Sequence, residues 1–409
     1  MTDHALSALI HQAFDGGNGI VRLMPTWVPR SFCVPGRRLR LHPADLYALG
    51  ASRGGIDERW FASTIVADNG PGTPDDEGLS YIFVADGHKV SLRDAMAAMG
   101  DAILGADVVQ KYGGWVMYSK FFDNMYPLPH HLHQSDEMAA AVGKLGKPEA
   151  YYYPPQYNQT NGQYPYTFFG FEPGTTPEQV RDCMARWEDG DNGILGISKA
   201  YRLQLGTGWD VPPGILHAPG TLCTYEPQRA SDVFSMWQSL IFDQQVVPWD
   251  LVVKDVPEGH KNDLDYIMSM MDWEANIDPN FADNHFCAPR PIYGDAEMQD
   301  QGFGEKWVVY GSPYFSAKEL TVLPGRTVVV RDPVAYGAIT MQGYGRFGAH
   351  AISAPSMIRF GQMTEDEFFV TVGTAREGVT MTNLSSTEPL VIMKHFNPGN
   401  PEMPGRGAN

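Results

Sequence analysis

Two histidines one residue apart, His131 and His133, follow a β-patterned run, and a third, His217, closes the stretch Gly206-Thr-Gly-Trp-Asp-Val-Pro212-Pro-Gly214-Ile-Leu-His217. In an extended chain, residues i and i+2 project to the same side, so both imidazoles of His-Leu-His can meet one ion. The later stretch reads as strand, tight turn, strand, with His217 on the second strand. Two acids compete to complete the set: Glu137, four residues past His133, and Glu149. Three imidazoles and a carboxylate suit a divalent Zn, Fe, Mn, Ni or Co ion. Such an ion is a Lewis acid that stabilises negative charge developing on a substrate oxygen. Lys147 shares a strand face with Glu149 by period-two counting, which places an ammonium where an oxyanion or substrate hydroxyl would need it. Tyr151 and Tyr153 fall on that same face and belong to an aromatic window over 151–171. Aromatic faces with phenol hydroxyls suit a carbohydrate, and they suit core packing equally well. His130 alternates to the opposite face and reads as structural.

The elements that must hold these groups are mostly strands. In 409 residues, 43 glycines and 31 prolines punctuate the chain often, which favours short strands over long helices. Three short helices are expected: one after Ser91, one from Ser135 to Leu145 with Asp136 and Glu137 in its first turn, and one from Thr176-Pro177 to about Asp189. Val84 to Val90 reads as a hairpin turning at Asp86-Gly87. Strands resume through 200–254, and the polar stretch 256–300 reads as a connector packed on the surface. A second β-rich block occupies 301–400, with strands expected at Trp307–Tyr310, Lys318–Leu323, Thr327–Val330, Ala335–Met341, Phe368–Val372, Val379–Thr382 and Leu390–Phe396. It carries no His-x-His, so no metal is expected there. The expected organisation is a metal-bearing N-terminal region (1–255), the connector, a second barrel, and a flexible Gly/Pro-rich tail (401–409).

Composition narrows the function classes. The formal net charge of −18 repels phosphate backbones and anionic membranes, so nucleic acid and membrane partners are excluded. Cys33, Cys183, Cys223 and Cys287 are scattered without a Cys-x-x-Cys pair, as expected in a reducing compartment. The N-terminus lacks the basic and apolar blocks of a secretory leader, and no run approaches the ~20 apolar residues that cross a bilayer. A cytoplasmic protein is expected, its partner a small-molecule carbohydrate, with homo-oligomerisation left open.

Several motifs resemble the type I phosphomannose isomerases, zinc-dependent enzymes of the cupin superfamily. Leu128-Pro-His-His131-Leu-His133 is similar to that family's Leu-Ser-Ile-Gln-x-His, Lys147-Pro148-Glu149 to its Lys-Pro-Glu, and His217-Ala218 to its last metal histidine. Phe169-Gly-Phe171-Glu-Pro173, Glu58-Arg-Trp60-Phe-Ala-Ser63, Val90-Ser-Leu-Arg-Asp and Ile103-Leu-Gly105 recur in family order, over about residues 55 to 245. The resemblance implies an all-β bicupin, two double-stranded β-helix barrels with a few short helices. It implies His131, His133, Glu149 and His217 as ligands, with zinc the first expectation, and prefers Glu149 to Glu137, although Glu137 fits the shorter spacing of ordinary cupins. It implies Glu226, nine residues after His217, as the group that moves a proton during aldose–ketose isomerisation through a cis-enediolate.

The chain also departs from that family. His131 stands where the family has glutamine. After Ser231-Asp232 the chain runs Val-Phe-Ser-Met236-Trp and lacks the family's Arg-Ala-Gly, leaving Arg229 as a partial substitute for the substrate-binding arginine. A non-phosphorylated or modified sugar is therefore the expected substrate. Two other classes stay open on the same ligand set: a redox cupin such as a metal-dependent dioxygenase, and a non-enzymatic sugar-binding bicupin.

Overall fold

A computed structural model describes residues 3–84, 88–160, 162–241 and 245–406. The chain builds two β units, each from a pair of antiparallel sheets. In the first unit one sheet runs in the order Phe286–Cys287, Gly208–Val211, Glu149–Tyr152, Thr224–Arg229, Met117–Phe122, Gly55–Phe61, Thr26–Arg30. The other runs Ser198–Arg202, Tyr166–Phe171, His217–Ala218, His131–Leu132, Ser235–Met236. Side chains from both sheets share a core of Tyr151, Phe169, Trp209 and Ile215 with their neighbours.

The second unit pairs Glu367–Val370, Tyr336–Gln342, Leu390–Phe396, Ser316–Val322 and Phe303–Val309 in one sheet. Thr327–Val330, Val379–Asn383, Tyr344–Phe347 and His350–Ser353 form the other. The all-β double-barrel expectation holds, and each strand expected in this block is present within a few residues. The hairpin Tyr344–Phe347 with His350–Ser353 was not expected. Gly343, Gly345 and Gly348 make it read as loop, yet Gly348 takes φ 57° at its turn, a conformation glycine adopts without steric cost.

Three features of the domain layout differ from the sequence expectation. The strand Ile20–Arg22 pairs with Glu367–Val370, so a segment assigned to the N-terminal region is an edge strand of the second unit. The stretch 256–300 is more than a surface connector: Ile267, Met270 and Met271 are buried against Phe171, Val180 and Trp237. Its short helix Trp273–Asn276 ends on buried Asn276, which accepts from Leu216 N (2.7 Å) and donates to Gly214 O (2.7 Å). That amide fixes the turn leading into His217. The tail is tied down through residue 406, by Glu402 to Lys318 (3.1 Å) and Arg406 to Asp210 (2.5 Å).

The expected helices form at their caps. Ser91 accepts from Asp94 N ahead of Leu92–Leu104, and Ser135 from Met138 N ahead of Asp136–Ala140. Thr176 and Gln179 form a reciprocal capping box at Pro177–Ala185. The Asp86-Gly87 turn lies outside the described residues, but the flanking strands Tyr81–Phe83 and Lys89–Ser91 pair as a hairpin requires. Among the described residues, no helix is long and apolar enough to cross a membrane.

Candidate metal centre

His131 and His217 are direct cross-strand partners, and His133 lies two residues further on, just past the end of the strand His131–Leu132. Their ring centroids stand 4.3 Å (131–217), 5.0 Å (133–217) and 5.1 Å (131–133) apart, and one nitrogen of each ring lies within 4.8 Å of the others. Each Nδ1 contacts a backbone carbonyl: Pro129 O at 2.8 Å for His131, Val233 O at 2.7 Å for His133, Ile215 O at 2.8 Å for His217. A carbonyl can only accept, so each Nδ1 carries a proton and Nε2 is the nitrogen that each ring turns toward the others. Burial, then the neighbouring rings, hold His131 well below its ordinary pKa; burial, then Lys147, lower His133 to about 3.

Glu149 supplies the negative charge. Its Oε2 is 3.0 Å from His133 Nε2 and its Oε1 is 3.1 Å from His217 Nε2. Burial pushes its carboxyl up, but Lys147 and His133 outweigh that and leave it well below the ordinary range. His217 Nε2 is buried beside Glu149, and Glu149 Oε2 is buried against the Lys147 ammonium at 2.8 Å. Three inward Nε2 atoms and an ionised carboxylate, all converging on one buried point, make a donor set that fits a divalent cation, with carbonyl-held imidazoles as in known metal sites. The competing acid Glu137 is exposed on its helix, away from this cluster.

The groups around the donor set form a row across the inner face of the long sheet. Glu149 lies opposite Gln228, and Glu226, two residues back on that strand, lies opposite Lys120; Lys120 in turn faces Trp60. Lys147 Nζ is 2.8 Å from Glu149 Oε2 and 3.6 Å from Glu226 Oε1, and Lys120 Nζ is 3.4 Å from Glu226 Oε1. Burial and then Glu149 push the Glu226 carboxyl up to about 8 against the pull of both lysines. Tyr151 donates a short hydrogen bond to Glu149. The cavity is about 40 Å³, with Phe32, Leu128, Pro219, Phe234 and Met236 among its apolar walls.

Two expected substrate contacts are absent from this cavity. Tyr153 stays on the Tyr151 face, as period-two counting expects, but lies further along, buried in the Phe169–Trp209 core and outside the cavity lining. Arg229 is an odd number of residues from Glu226 and points to the other face, where it pairs with Asp136 and lies over the Tyr314 ring at 5.1 Å. His130, as expected, turns away: it packs on Phe168 and meets Gln238 Oε1 at 3.0 Å.

The arginine that lines the cavity is Arg30, bound to Asp232 (2.9 Å) and Glu58 (3.1 Å), and Glu58 also receives Lys120 (3.1 Å) and Trp60 Nε1 (2.7 Å). Sequence reasoning gave these residues no role. Glu58 and Asp232 stood inside family-like motifs, which was the available signal. Burial raises the Glu58 carboxyl, but Arg30 and Lys120 bring it down to about 2. A carboxyl held below its unfolded value stabilises the fold above about pH 4.5, and the contribution is lost as pH falls toward 2. Each such proton contributes a slope of up to about 1.4 kcal/mol per pH unit. Denaturant titrations between pH 4.5 and 3 are expected to show a shallower fall for Glu58→Gln, by about one proton. Equal slopes in the two proteins would contradict the depressed carboxyl.

With the geometry in place, the fold can be compared with solved structures. It is similar to the mannose 6-phosphate isomerase from Bacillus subtilis (TM-score 0.58, 14% identity, 92% of this chain and 99% of that one). It is similar to a single-residue variant of phosphomannose isomerase from Salmonella typhimurium (TM-score 0.60, 12% identity, 93% and 100%). It is also similar to a mannose 6-phosphate isomerase bound with zinc and yttrium (TM-score 0.59, 12% identity, 93% and 100%). No family sequence model matches the chain, and no curated protein matches it by sequence. At these identities the shared property is architecture: the chain has the double-cupin fold seen in type I mannose-6-phosphate isomerases.

Proposed function

We propose that the protein is a metal-dependent sugar isomerase that interconverts an aldose and a ketose lacking a phosphate. The observation that carries this reading is the convergence, in one buried cavity, of three inward Nε2 atoms, Glu149, and the Lys147–Glu226 pair. His131, His133, His217 and Glu149 would hold a divalent ion, zinc first among Zn, Fe, Mn, Ni and Co. Bound there, the ion would supply Lewis acidity toward the substrate's carbonyl oxygen. Glu226 in its ionised form, which predominates only above about pH 8, takes the proton from C2 and returns it to C1 while the hydroxyl proton passes from O2 to O1, a general-base contribution of typically about 100- to 10,000-fold. Lys147 donates to the oxygen that gains charge while that proton is away from carbon. Tyr151 keeps Glu149 oriented, and Phe32, Phe234 and Met236 limit water.

The lack of a phosphate is read from charge pairing. Arg30 is held between Glu58 and Asp232, Lys120 between Glu58 and Glu226, and Lys147 beside Glu149. Among the described residues lining the cavity, no cation is left without an acidic partner. A phosphate dianion would have to displace one of these buried carboxylates, at a cost of several kcal/mol.

The test is incubation of the zinc-loaded protein with a panel of free and phosphorylated aldoses and ketoses in deuterium oxide without oxygen. Deuterium is expected on the carbon beside the carbonyl of an unphosphorylated sugar. Exchange confined to phosphosugars would overturn the substrate assignment. Turnover requiring oxygen and a redox-active metal would overturn the reaction class in favour of a dioxygenase.

A further inference from the structure

The two β units meet along a buried junction that contains a cluster of charge. Arg59, on the strand Gly55–Phe61 of the first unit, reaches Asp366 and Glu367 at the start of the second unit's strand Glu367–Val370. Arg59 and Glu367 are 1% exposed, and Asp366 is fully buried. The guanidinium holds Asp366 through two parallel hydrogen bonds of 2.8 Å, and Thr364 Oγ1 donates to the same carboxylate (2.5 Å). Glu367 has weaker partners: Arg59 Nη2 lies 3.4 Å from its Oε2, and Ala62 N donates to its Oε1 at 3.3 Å.

Counting charges assigns the protonation states. One buried cation neutralises one buried carboxylate, and a second carboxylate left uncompensated takes up a proton instead. The bidentate pair marks Asp366 as the ionised partner, so Glu367 is the acid that keeps its proton. Burial pushes the Glu367 carboxyl up to about 8 against the pull of Arg59, and the Asp366 charge adds to the rise. Arg59 and Asp366 are the charges that face Glu367 among the described residues. The flanking strands Ile20–Arg22 and Tyr336–Gln342 meet it through backbone, with Leu23 N donating to its carbonyl (3.0 Å) and Ile339 lying opposite. Arg22 turns outward to Glu365 (3.6 Å). Beside Arg59 stands the Tyr157 phenol, with Arg40 over that ring at 4.2 Å.

The backbone that answers Glu367 is itself strained. Ala62 takes φ 49°, in the left-handed region that a residue with a Cβ seldom adopts. It is held from both sides, its N–H by Glu367 and its carbonyl by Trp115 Nε1 (2.9 Å), while the Trp115 ring packs edge-on against Phe369 at 4.9 Å. Such strain persists only while neighbouring contacts enforce it. We propose that Arg59, Asp366 and Glu367 form a proton-gated clasp between the two units, shut while Glu367 is protonated and loosened when it ionises. Ionisation leaves a net negative charge in a dry junction, which admitting water relieves. A carboxyl held above its unfolded value keeps a proton that the unfolded chain has released. Stability therefore falls as pH rises from about 4.5 to 8, and stays lowered above 8. The clasp does not depend on the isomerase reading.

Hydrogen exchange of the full chain, followed by mass spectrometry over about pH 6 to 10 and corrected for the intrinsic rate, tests the clasp. Peptides covering 20–23 and 366–371 should show a step near pH 8, above which they exchange about tenfold faster or more, while the strand Ser316–Val322 stays unchanged. Glu367→Gln should remove the step, and its urea midpoint should fall less between about pH 5 and 8, by the slope of about one proton. Asp366→Asn gives Arg59 to Glu367 alone, so its step should move down by about one pH unit or more. The proposal is overturned by a parent protein with no alkaline step, by a step that persists in Glu367→Gln, or by one that Asp366→Asn leaves in place.

Discussion

His217→Ala is expected to lose its divalent ion on dialysis against a chelator that leaves the parent protein loaded. His217 is fully buried, its Nδ1 is committed to Ile215 O, and its Nε2 faces Glu149 and the His131 ring. Removing it takes away one of three convergent Nε2 atoms and leaves Glu149 with one imidazole neighbour fewer. Loss of an outer hydrogen-bond partner in a metal site costs typically about 10- to 100-fold in affinity, and loss of a ligand should exceed that range. Elemental analysis after dialysis reads the effect directly. Thermal unfolding adds a second measure, because a ligand present at about 1,000 times its Kd stabilises the native state by about 4 kcal/mol. The parent protein should lose that increment when stripped of metal, whereas the variant should gain little when metal is added. Stoichiometric metal in chelator-treated His217→Ala would remove the basis for the centre.

Glu226→Gln is expected to keep the metal and lose turnover by about 100- to 10,000-fold, the usual worth of a positioned base. The substitution is nearly isosteric, and Glu226 meets the donor set through Lys147 and a side-chain hydrogen bond with Glu149, which the glutamine amide can still donate. The loss should appear in kcat with little change in KM, because the carboxylate contributes to the proton transfer more than to substrate binding. Deuterium incorporation should fall in parallel with product formation. Full exchange in this variant, with metal content intact, would place the base on another residue.

The metal donors were legible because local rules determine their directions. His131 and His133 needed only the alternation of an extended strand, and Glu149 and Tyr151 lie together on one face of the strand 149–152 for the same reason. The same rule argues against Arg229, an odd count from Glu226; it puts Tyr153 on the Tyr151 face but does not tell how far along the strand the cavity reaches. Arg30 could not be read in this way. Its partner Asp232 is 202 residues away, and what joins them is the packing of an edge strand beside a loop from the far side of the barrel. No periodicity encodes such a contact. The helix starts were legible because a single serine or threonine side chain satisfies a free backbone N–H at each. The role of 256–300 was missed although Leu264-Asp-Tyr-Ile-Met-Ser-Met-Met271 is an apolar run, because the Asp, Asn and Pro residues on either side dominate the stretch, and the opposing core shows what the run covers.

The pairing of Ile20–Arg22 with Glu367–Val370 has a consequence for biogenesis. During synthesis the strand Ile20–Arg22 has no ladder partner until Glu367–Val370 has been made, about 345 residues later. At about 5–20 residues per second that wait lasts roughly tens of seconds. The second unit is completed by a strand made long before it, which ties two distant stretches of sequence into one sheet. Neither barrel can be excised at residue 255 as a complete module. A gene split there would yield one fragment with an unsatisfied strand and another with a bare sheet edge.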